Sequence, residues 1–284
     1  MVFKLDFRKA FDSVAWPALD KILAIRGFSP TFRSWTQNIL HIGKAAILLN
    51  GIPGNWIQCK NGLRQGDPVS PYLFLIVTDL LQQLILQNSE PALHHPIFSH
   101  LPPTVLQYAD DTLMVAAASP ATATALKVIL NNFAHTTGLA INFSKTTLAT
   151  LHTDDSKTAA IALAMGCSCA SFPQTYLSLP LAPTKPLTNA FNPLVEHSRK
   201  LLLGWHAKLL DKGDRLILIS TVMDSILTYF MSMFCIPKKT IKTFDSLRRD
   251  FFGQETMLAQ VLNVWKNVCL PKKFGGLGLK NLQV

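Results

Sequence analysis

Two adjacent carboxylates, Asp110 and Asp111, stand between the apolar stretches Leu106-Gln107-Tyr108-Ala109 and Thr112-Leu113-Met114-Val115. The alternation of Val105, Gln107 and Ala109 against Leu106, Tyr108 and Asp110 predicts a strand running into a tight turn. Both aspartates would then sit at the tip of a β-hairpin. Aspartate is an acceptable turn residue, so an ordinary hairpin is one reading. A tight hairpin more often carries Asn-Gly or Asp-Gly, however, and neighbouring carboxylates repel unless a cation lies between them. The second reading is a site for a hard divalent ion. A third carboxylate favours it: Val2-Phe3-Lys4-Leu5-Asp6-Phe7 alternates as a strand, with Asp6 near its end. If the two segments neighbour each other in one antiparallel sheet, three carboxylates converge from positions 104 apart (110 minus 6). Such oxygen-rich sites suit Mg²⁺, which keeps waters and takes substrate phosphates as further ligands. Two such ions ~4 Å apart serve phosphoryl transfer.

The elements needed to position these groups are also legible. Pro17 and Gly27 bound one helix, and Ser29-Pro30 opens another. Lys44 to Leu49, followed by Asn50-Gly51, and Trp56 to Cys59, followed by Asn61-Gly62, read as paired strands. Gly62-Leu63-Arg64-Gln65-Gly66-Asp67-Pro68-Val69 is a breaker-rich loop feeding a helix that Ser70 caps, Pro71 starts and that runs to about Leu86. Such a loop lets backbone approach a phosphate or sugar closely, although a loop before a capped helix is common without any ligand. A further helix runs from about Ala121 to Phe133 with its stop at Gly138, and another is capped by Thr153 or Asp154 and ended by Gly166. Beyond Pro186 the pattern is helical only, over Leu194 to Trp205, Arg215 to Phe234 and Thr240 to Phe252. The middle one is apolar around most of its circumference, which predicts burial.

Composition bounds the alternatives. The 284 residues are 49% hydrophobic, enough for one large or two modest globular domains. The net charge of +10 is uneven: residues 1–184 hold 12 basic and 10 acidic residues, whereas residues 185–284 hold 15 and 7. A basic C-terminal third suits a polyanion such as nucleic acid or an anionic membrane surface, although a basic domain with no such partner carries the same charge. Five cysteines with no zinc spacing read as free thiols, and His94, His95 and His100 lie in a proline-rich stretch that reads as a surface loop, not a metal site. No secretory pattern opens the chain, and Asp79 and Asp224 interrupt its most apolar runs, so no bilayer span is expected.

Three motifs in order carry a family resemblance. Leu5-Asp6-Phe7-Arg8-Lys9-Ala10-Phe11-Asp12, Leu63-Arg64-Gln65-Gly66-Asp67-Pro68-Val69-Ser70-Pro71 and Tyr108-Ala109-Asp110-Asp111 resemble the palm motifs of non-LTR (LINE-type) retrotransposon reverse transcriptases. The resemblance implies an α+β fold: a polymerase palm over residues 1–185, an antiparallel sheet with packed helices, then an all-helical, basic, thumb-like region over residues 186–284. It implies RNA-directed DNA polymerase activity on an RNA template, a DNA primer and deoxynucleoside triphosphates, with two Mg²⁺ ions, for which Mn²⁺ can substitute. Asp6 and Asp110 would be the principal metal ligands and Asp111 the accessory one. Phe11 would lie under the sugar and exclude a 2′-hydroxyl. Gln65 and Gly66 would line the nucleotide and template pocket, with Arg64 nearby. Lys145, within Asn142-Phe143-Ser144-Lys145-Thr146, would stand near the triphosphate. Tyr176 to Leu181 resembles the primer-grip segment, with Ser178 where glycine is more typical. Against the family pattern the fingers, an upstream endonuclease and a downstream Cys/His segment are missing, so a partial palm and thumb is expected. A relic that binds nucleic acid without catalysis is the alternative. The family implies a nuclear site, whereas the sequence itself leaves nuclear or cytoplasmic open and does not suggest secretion.

Overall fold

The computed structural model describes residues 1–88, 93, 104–205, 209–253, 265 and 267–282. The predicted loop around His94, His95 and His100 lies outside them. The chain forms two compact units, Met1–Phe172 and Pro173–Val284.

The first unit runs β1 (Val2–Leu5), α1 (Ala10–Ser13), α2 (Trp16–Ile25), α3 (Pro30–His41), β2 (Lys44–Ala45), β3 (Leu48–Leu49), β4 (Ile52–Pro53), β5 (Ile57–Gln58), α4 (Ser70–Leu86), β6 (Thr104–Tyr108), β7 (Asp111–Val115), α5 (Pro120–Thr137), β8 (Thr147–Ala149), α6 (Asp155–Met165) and β9 (Ser168–Cys169). Its main sheet has the order β6-β7-β1-β8-β9. All pairs in it are antiparallel except β8–β9, so the expected antiparallel sheet gains one parallel edge. On β1 the period of two puts Phe3 and Leu5 into the core and leaves Val2 and Lys4 half-exposed. Phe74, Val77 and Leu81 of α4 and Leu126, Leu130 and Phe133 of α5 belong to that same core. Burial of each such side chain contributes about 1.5–3 kcal/mol.

Local signals account for the helix ends. Ser29 accepts a hydrogen bond from the Phe32 amide and Pro30 starts α3. Ser119 does the same for α5, accepting from Thr122. Gly138 ends α5 at φ +84°, where a Cβ would lie 2.3 Å from the Ser13 carbonyl oxygen. At α4 the expectation was wrong in detail. Ser70 is buried within the first turn, and the side chain that satisfies an amide there is Asp67, whose Oδ1 accepts from Val69 at 2.9 Å.

Residues 44–58 form two small antiparallel ladders, β2 with β5 and β3 with β4, turned at Asn50-Gly51, where both φ values are positive. This arm exposes Ile47, Leu48, Leu49, Ile52 and Trp56, a concentration of apolar surface that free globular surfaces rarely carry. All five cysteines are free thiols. Burial first, and the neighbouring Cys169 second, push Cys167 up to about 11, so it stays protonated near neutrality and is a poor ligand or nucleophile.

The second unit opens with a hairpin, β10 (Gln174–Tyr176) and β11 (Leu179–Leu181), and continues as α7 (Asn192–Gly204), α8 (Lys212–Leu218), a π-helical turn (Ile219–Met223), α9 (Asp224–Met233) and α10 (Lys238–Gly253). From Lys212 to Met233 the helix is continuous, and it is long and apolar enough to cross a membrane by length and composition. Its middle is not buried all round, as its sequence predicted. One stripe, Arg215, Ile219, Met223, Asp224, Leu227 and Phe230, faces the unit's interior, while Ile217, Met231 and Met233 are exposed. That stripe carries charge. Arg248 of α10, fully buried, reaches Asp245 Oδ1 at 2.8 Å, Asp224 Oδ1 at 3.0 Å and the Lys280 carbonyl oxygen at 3.1 Å, with its guanidinium carbon 5.4 Å from the centre of the Trp265 ring. These charges are therefore paired inside the unit, where the guanidinium offsets the cost of burying the carboxylates.

Candidate functional site

Strand register places the carboxylates. β1 pairs with β7 so that Leu5 faces Thr112, and the same register carried one residue further sets Asp6 level with Asp111. Asp6 lies between the buried Leu5 and Phe7, so it belongs to the sheet face away from the core, and it is half-exposed. β6 and β7 close on the pair Tyr108 and Asp111, which makes Ala109 and Asp110 the two turn residues. The hairpin tip is therefore one residue earlier than the alternation predicted. Asp111 opens β7, and Asp110 is the exposed carboxylate in the turn. The left-handed position falls on Ala109, φ +52°, rather than on an aspartate. Alanine is costly there, by about 1–2 kcal/mol. Strain of this kind concentrates where a turn must aim a side chain.

The segment bearing Lys145 is tied to the backbone of Asp6. Asn142 N–H donates to the Asp6 carbonyl oxygen at 2.7 Å, the Asp6 N–H donates to Thr146 Oγ1 at 3.4 Å, and Arg8 N–H donates to the Ala140 carbonyl at 2.8 Å. A lone antiparallel bridge, Phe7 with Ile141, completes the seam. Both the Lys145 and Thr146 amides fold back onto the Asn142 carbonyl, so the loop is a compact turn with Lys145 exposed on it. Thr146, fully buried, had no sequence signal beyond its place beside Lys145.

The loop after Asn61 is pinned against α1. Gly62 N–H donates to the Val14 carbonyl at 2.8 Å, Leu63 N–H to the Phe11 carbonyl at 2.7 Å, and Trp16 Nε1 to the Gly62 carbonyl at 2.7 Å. Gly62 has φ +81°, and a Cβ there would stand 2.6 Å from the Asp12 carbonyl oxygen. Gly62→Ala is accordingly expected to lower stability by about 2–4 kcal/mol, through the left-handed backbone and the clash together. Urea unfolding monitored by circular dichroism would measure it. The Phe11 ring stacks on Phe74 of α4, centroids 4.5 Å apart and planes 13° apart, which fixes the ring beside the start of that helix. Phe74 gave no sign of this partnership in the sequence. Gln65 and Gly66 are exposed on the loop, Gly66 at φ +87° with open space where a Cβ would stand. Arg64 is directed elsewhere: its Nη2 donates to the Ile39 carbonyl at 2.8 Å, capping the last turn of α3.

In the second unit, the β10–β11 hairpin turns on Leu177 and Ser178, with φ +49° and +64°. Neither residue is glycine, and each left-handed residue costs about 1–2 kcal/mol. The structure thus gives a reason why glycine suits the position of Ser178.

Carboxylate oxygens are the donors that Mg²⁺ takes, and the register brings the strands that bear Asp6 and Asp111 together, so the residues present fit a divalent ion in chemistry. They do not form a closed cage. Among the described residues no group of three or more His, Cys, Asp or Glu side chains is gathered tightly enough to hold an ion alone. That is compatible with Mg²⁺, whose remaining ligands are waters and substrate phosphates.

Residues 1–188 match the family model described as reverse transcriptase (RNA-dependent DNA polymerase). The chain is similar to the Pol polyprotein from type-1 retrotransposable element R2 of Popillia japonica, 32% identical over 114 residues, which is 40% of this chain and 18% of that protein. It is also similar to the type-1 R2 polyprotein of Nasonia vitripennis, 32% identical over 85 residues (30% of this chain, 8% of that one). A third relative is the type-2 R2DM polyprotein of Drosophila melanogaster, 27% identical over 147 residues (51% and 13%). The chain thus spans less than a fifth of the length of each of these three relatives. Among solved structures, telomerase from Candida albicans superposes with a TM-score of 0.44 at 12% identity, over 98% of this chain and 50% of that one. With the motifs in order on β1, the loop before α4 and the β6–β7 hairpin, and a family match over about two thirds of its length, the chain belongs to the reverse transcriptase family, with relatives among retrotransposon R2 Pol polyproteins.

Proposed function

We propose that this chain is an RNA-directed DNA polymerase, in which a primer 3′-hydroxyl attacks the α-phosphate of a deoxynucleoside triphosphate paired to an RNA template. The observation that carries the reading is the register of β1 with β7, which sets Asp6 level with Asp111 and one residue from Asp110. Asp6 and Asp110 would hold Mg²⁺ as principal ligands, with Asp111 accessory. Bound there, the metal supplies activation of the attacking hydroxyl and stabilisation of the leaving oxygen. The remaining residues orient and exclude. Phe11, fixed by Phe74, forms a flat wall that a deoxyribose can approach and a 2′-hydroxyl cannot. Lys145, on a turn anchored to Asp6, offers a cation and a proton toward the departing pyrophosphate. Gln65 and Gly66 present an exposed, side-chain-poor loop to the base pair, whereas Arg64 shapes that loop through Ile39. The palm, residues 1–185, then takes in the whole first unit. The second unit, with exposed Lys185, Lys200, Lys238, Lys239 and Lys242, acts as the thumb and grips the A-like duplex through phosphates.

A second reading, nucleic-acid binding without turnover, is favoured by the ungathered carboxylates. Nucleotide selection separates the two. Phe11→Val is expected to raise ribonucleotide incorporation relative to deoxynucleotide by about 10–100-fold on an RNA template, because only the wall is removed. A folded chain that binds primer–template and incorporates neither nucleotide would leave only the second reading.

A further inference from the structure

The turn at the end of the β10–β11 hairpin holds a conformation that its own residues disfavour. Tyr176 pairs with Leu179, so Leu177 and Ser178 alone make the connection, and both have positive φ. Two successive left-handed residues are the signature of a type I′ turn, which Asn-Gly fills without strain. A type II′ turn would join the same strands with positive φ at the first position only. The two forms interconvert by rotation of the single peptide between Leu177 and Ser178. That rotation would relieve Ser178 but would move Leu177 into the first position of a type II′ turn, which favours glycine, so neither form suits this pair of residues and one hydrogen bond can bias the choice.

The oxygen of this peptide is the Leu177 carbonyl, and it accepts a hydrogen bond from Tyr229 Oη at 2.7 Å. Rotation would carry the oxygen away from the hydroxyl. The donor is 42% exposed: Tyr229 lies on α9, edge-on to its neighbour Phe230 with centroids 5.9 Å apart, and Phe230 belongs to a core cluster with Met223 and Leu227. Leu179, first residue of β11, packs against that cluster too, so the hairpin and the helix are registered at two points.

We propose that Tyr229 is a positioning residue. Its hydroxyl locks the Leu177–Ser178 peptide in the type I′ orientation and so gives the hairpin tip one shape. Under the polymerase reading, on which this role rests, the tip is the surface that meets the primer strand, and a fixed tip gives that strand one contact geometry.

The test compares wild type, Tyr229→Phe, and Tyr229→Phe with Ser178→Gly, all as the full chain. Two readouts are taken: hydrogen exchange of the amides of residues 177 to 179, which needs no activity, and KM and kcat for an RNA-template, DNA-primer duplex. Loss of one neutral hydrogen bond corresponds to about a fivefold change. Tyr229→Phe is therefore expected to speed exchange at the tip about fivefold and to raise KM for primer–template about fivefold, with kcat within about twofold. Glycine at 178 favours the left-handed conformation unaided, so the double variant is expected to recover both. Unchanged exchange in Tyr229→Phe would overturn the proposal. A loss that Ser178→Gly does not recover would overturn it as well, since it would mark Tyr229 as merely structural. Exchange that responds and is rescued while even the wild type extends no primer would uphold the lock on the turn and remove the polymerase reading instead. Rescued exchange in an active enzyme whose KM never moved would overturn the positioning role.

Discussion

Arg248→Ala is expected to lower stability by about 3–5 kcal/mol, because it leaves the carboxylates of Asp224 and Asp245 buried with their shared counter-charge gone. The loss also frees the Lys280 carbonyl from α10 and strips the Trp265 face of its cation. The pH dependence of the defect gives it a signature. Burial raises the Asp224 carboxyl above its usual range even in the intact protein, and the Arg248 charge opposes that rise. Without Arg248 the carboxyl is raised further. A carboxyl whose folded pKa exceeds its unfolded value takes up its proton first in the fold, so acidification through the folded pKa favours the folded state. The benefit is complete below the ordinary aspartate value and is lost as pH rises through the raised one. The variant is thus expected to recover part of its deficit toward acid pH, where a variant that merely lost packing would not. Urea unfolding at several pH values, with Arg248→Met as a packing control, measures both the size and the sign.

Asp110→Asn is expected to reduce Mg²⁺-dependent nucleotide incorporation by roughly three orders of magnitude, the scale at which loss of transition-state charge stabilisation is felt. The substitution keeps the size and turn preference of the side chain, and Asp110 is exposed at the hairpin tip, so the fold is expected to survive. Asp6→Asn is expected to match it. Asp111→Asn is expected to cost less, since Asp111 already stands in the β6–β7 ladder and, under the proposed function, would serve the metal only as an accessory. Primer–template binding, which depends on phosphate contacts by cations elsewhere, is expected to persist in all three variants.

The strands that bear the candidate carboxylates were readable in the sequence to the extent that backbone periodicity determines them. Alternation in Val2 to Phe7 and in Val105 to Asp110 identified the strands that carry or precede the carboxylates, whereas their antiparallel neighbourhood was only supposed and comes from the sheet itself. The same alternation misplaced the tip by one residue, because the strained position went to Ala109, a residue type that carries no turn signal. Ser70 looked like the cap of α4 by its place before a proline, yet Asp67 supplies the bond because the loop turns a residue earlier. Arg64 and Arg248 show a further limit. Both count toward the positive charge, but one caps α3 and the other is locked among Asp224, Asp245 and the Lys280 carbonyl. Charge totals do not distinguish a guanidinium that meets solvent from one consumed inside. The partnerships of Phe11 with Phe74 and of Tyr229 with Leu177 join segments far apart in the chain, and periodicity is silent on those. The cost of Ser178 could be anticipated only as a departure from a motif; its cause is the left-handed backbone there.

The most direct measurement is incorporation of a deoxynucleotide into a DNA primer on an RNA template across a Mg²⁺ titration, with the folded chain and its Asp110→Asn form side by side. Incorporation that rises and saturates with Mg²⁺ in the first and is lost in the second is the predicted result. A folded chain that binds the duplex but incorporates nothing at any Mg²⁺ concentration, or equal incorporation by both forms, would contradict the assignment of Asp6, Asp110 and Asp111 to nucleotidyl transfer.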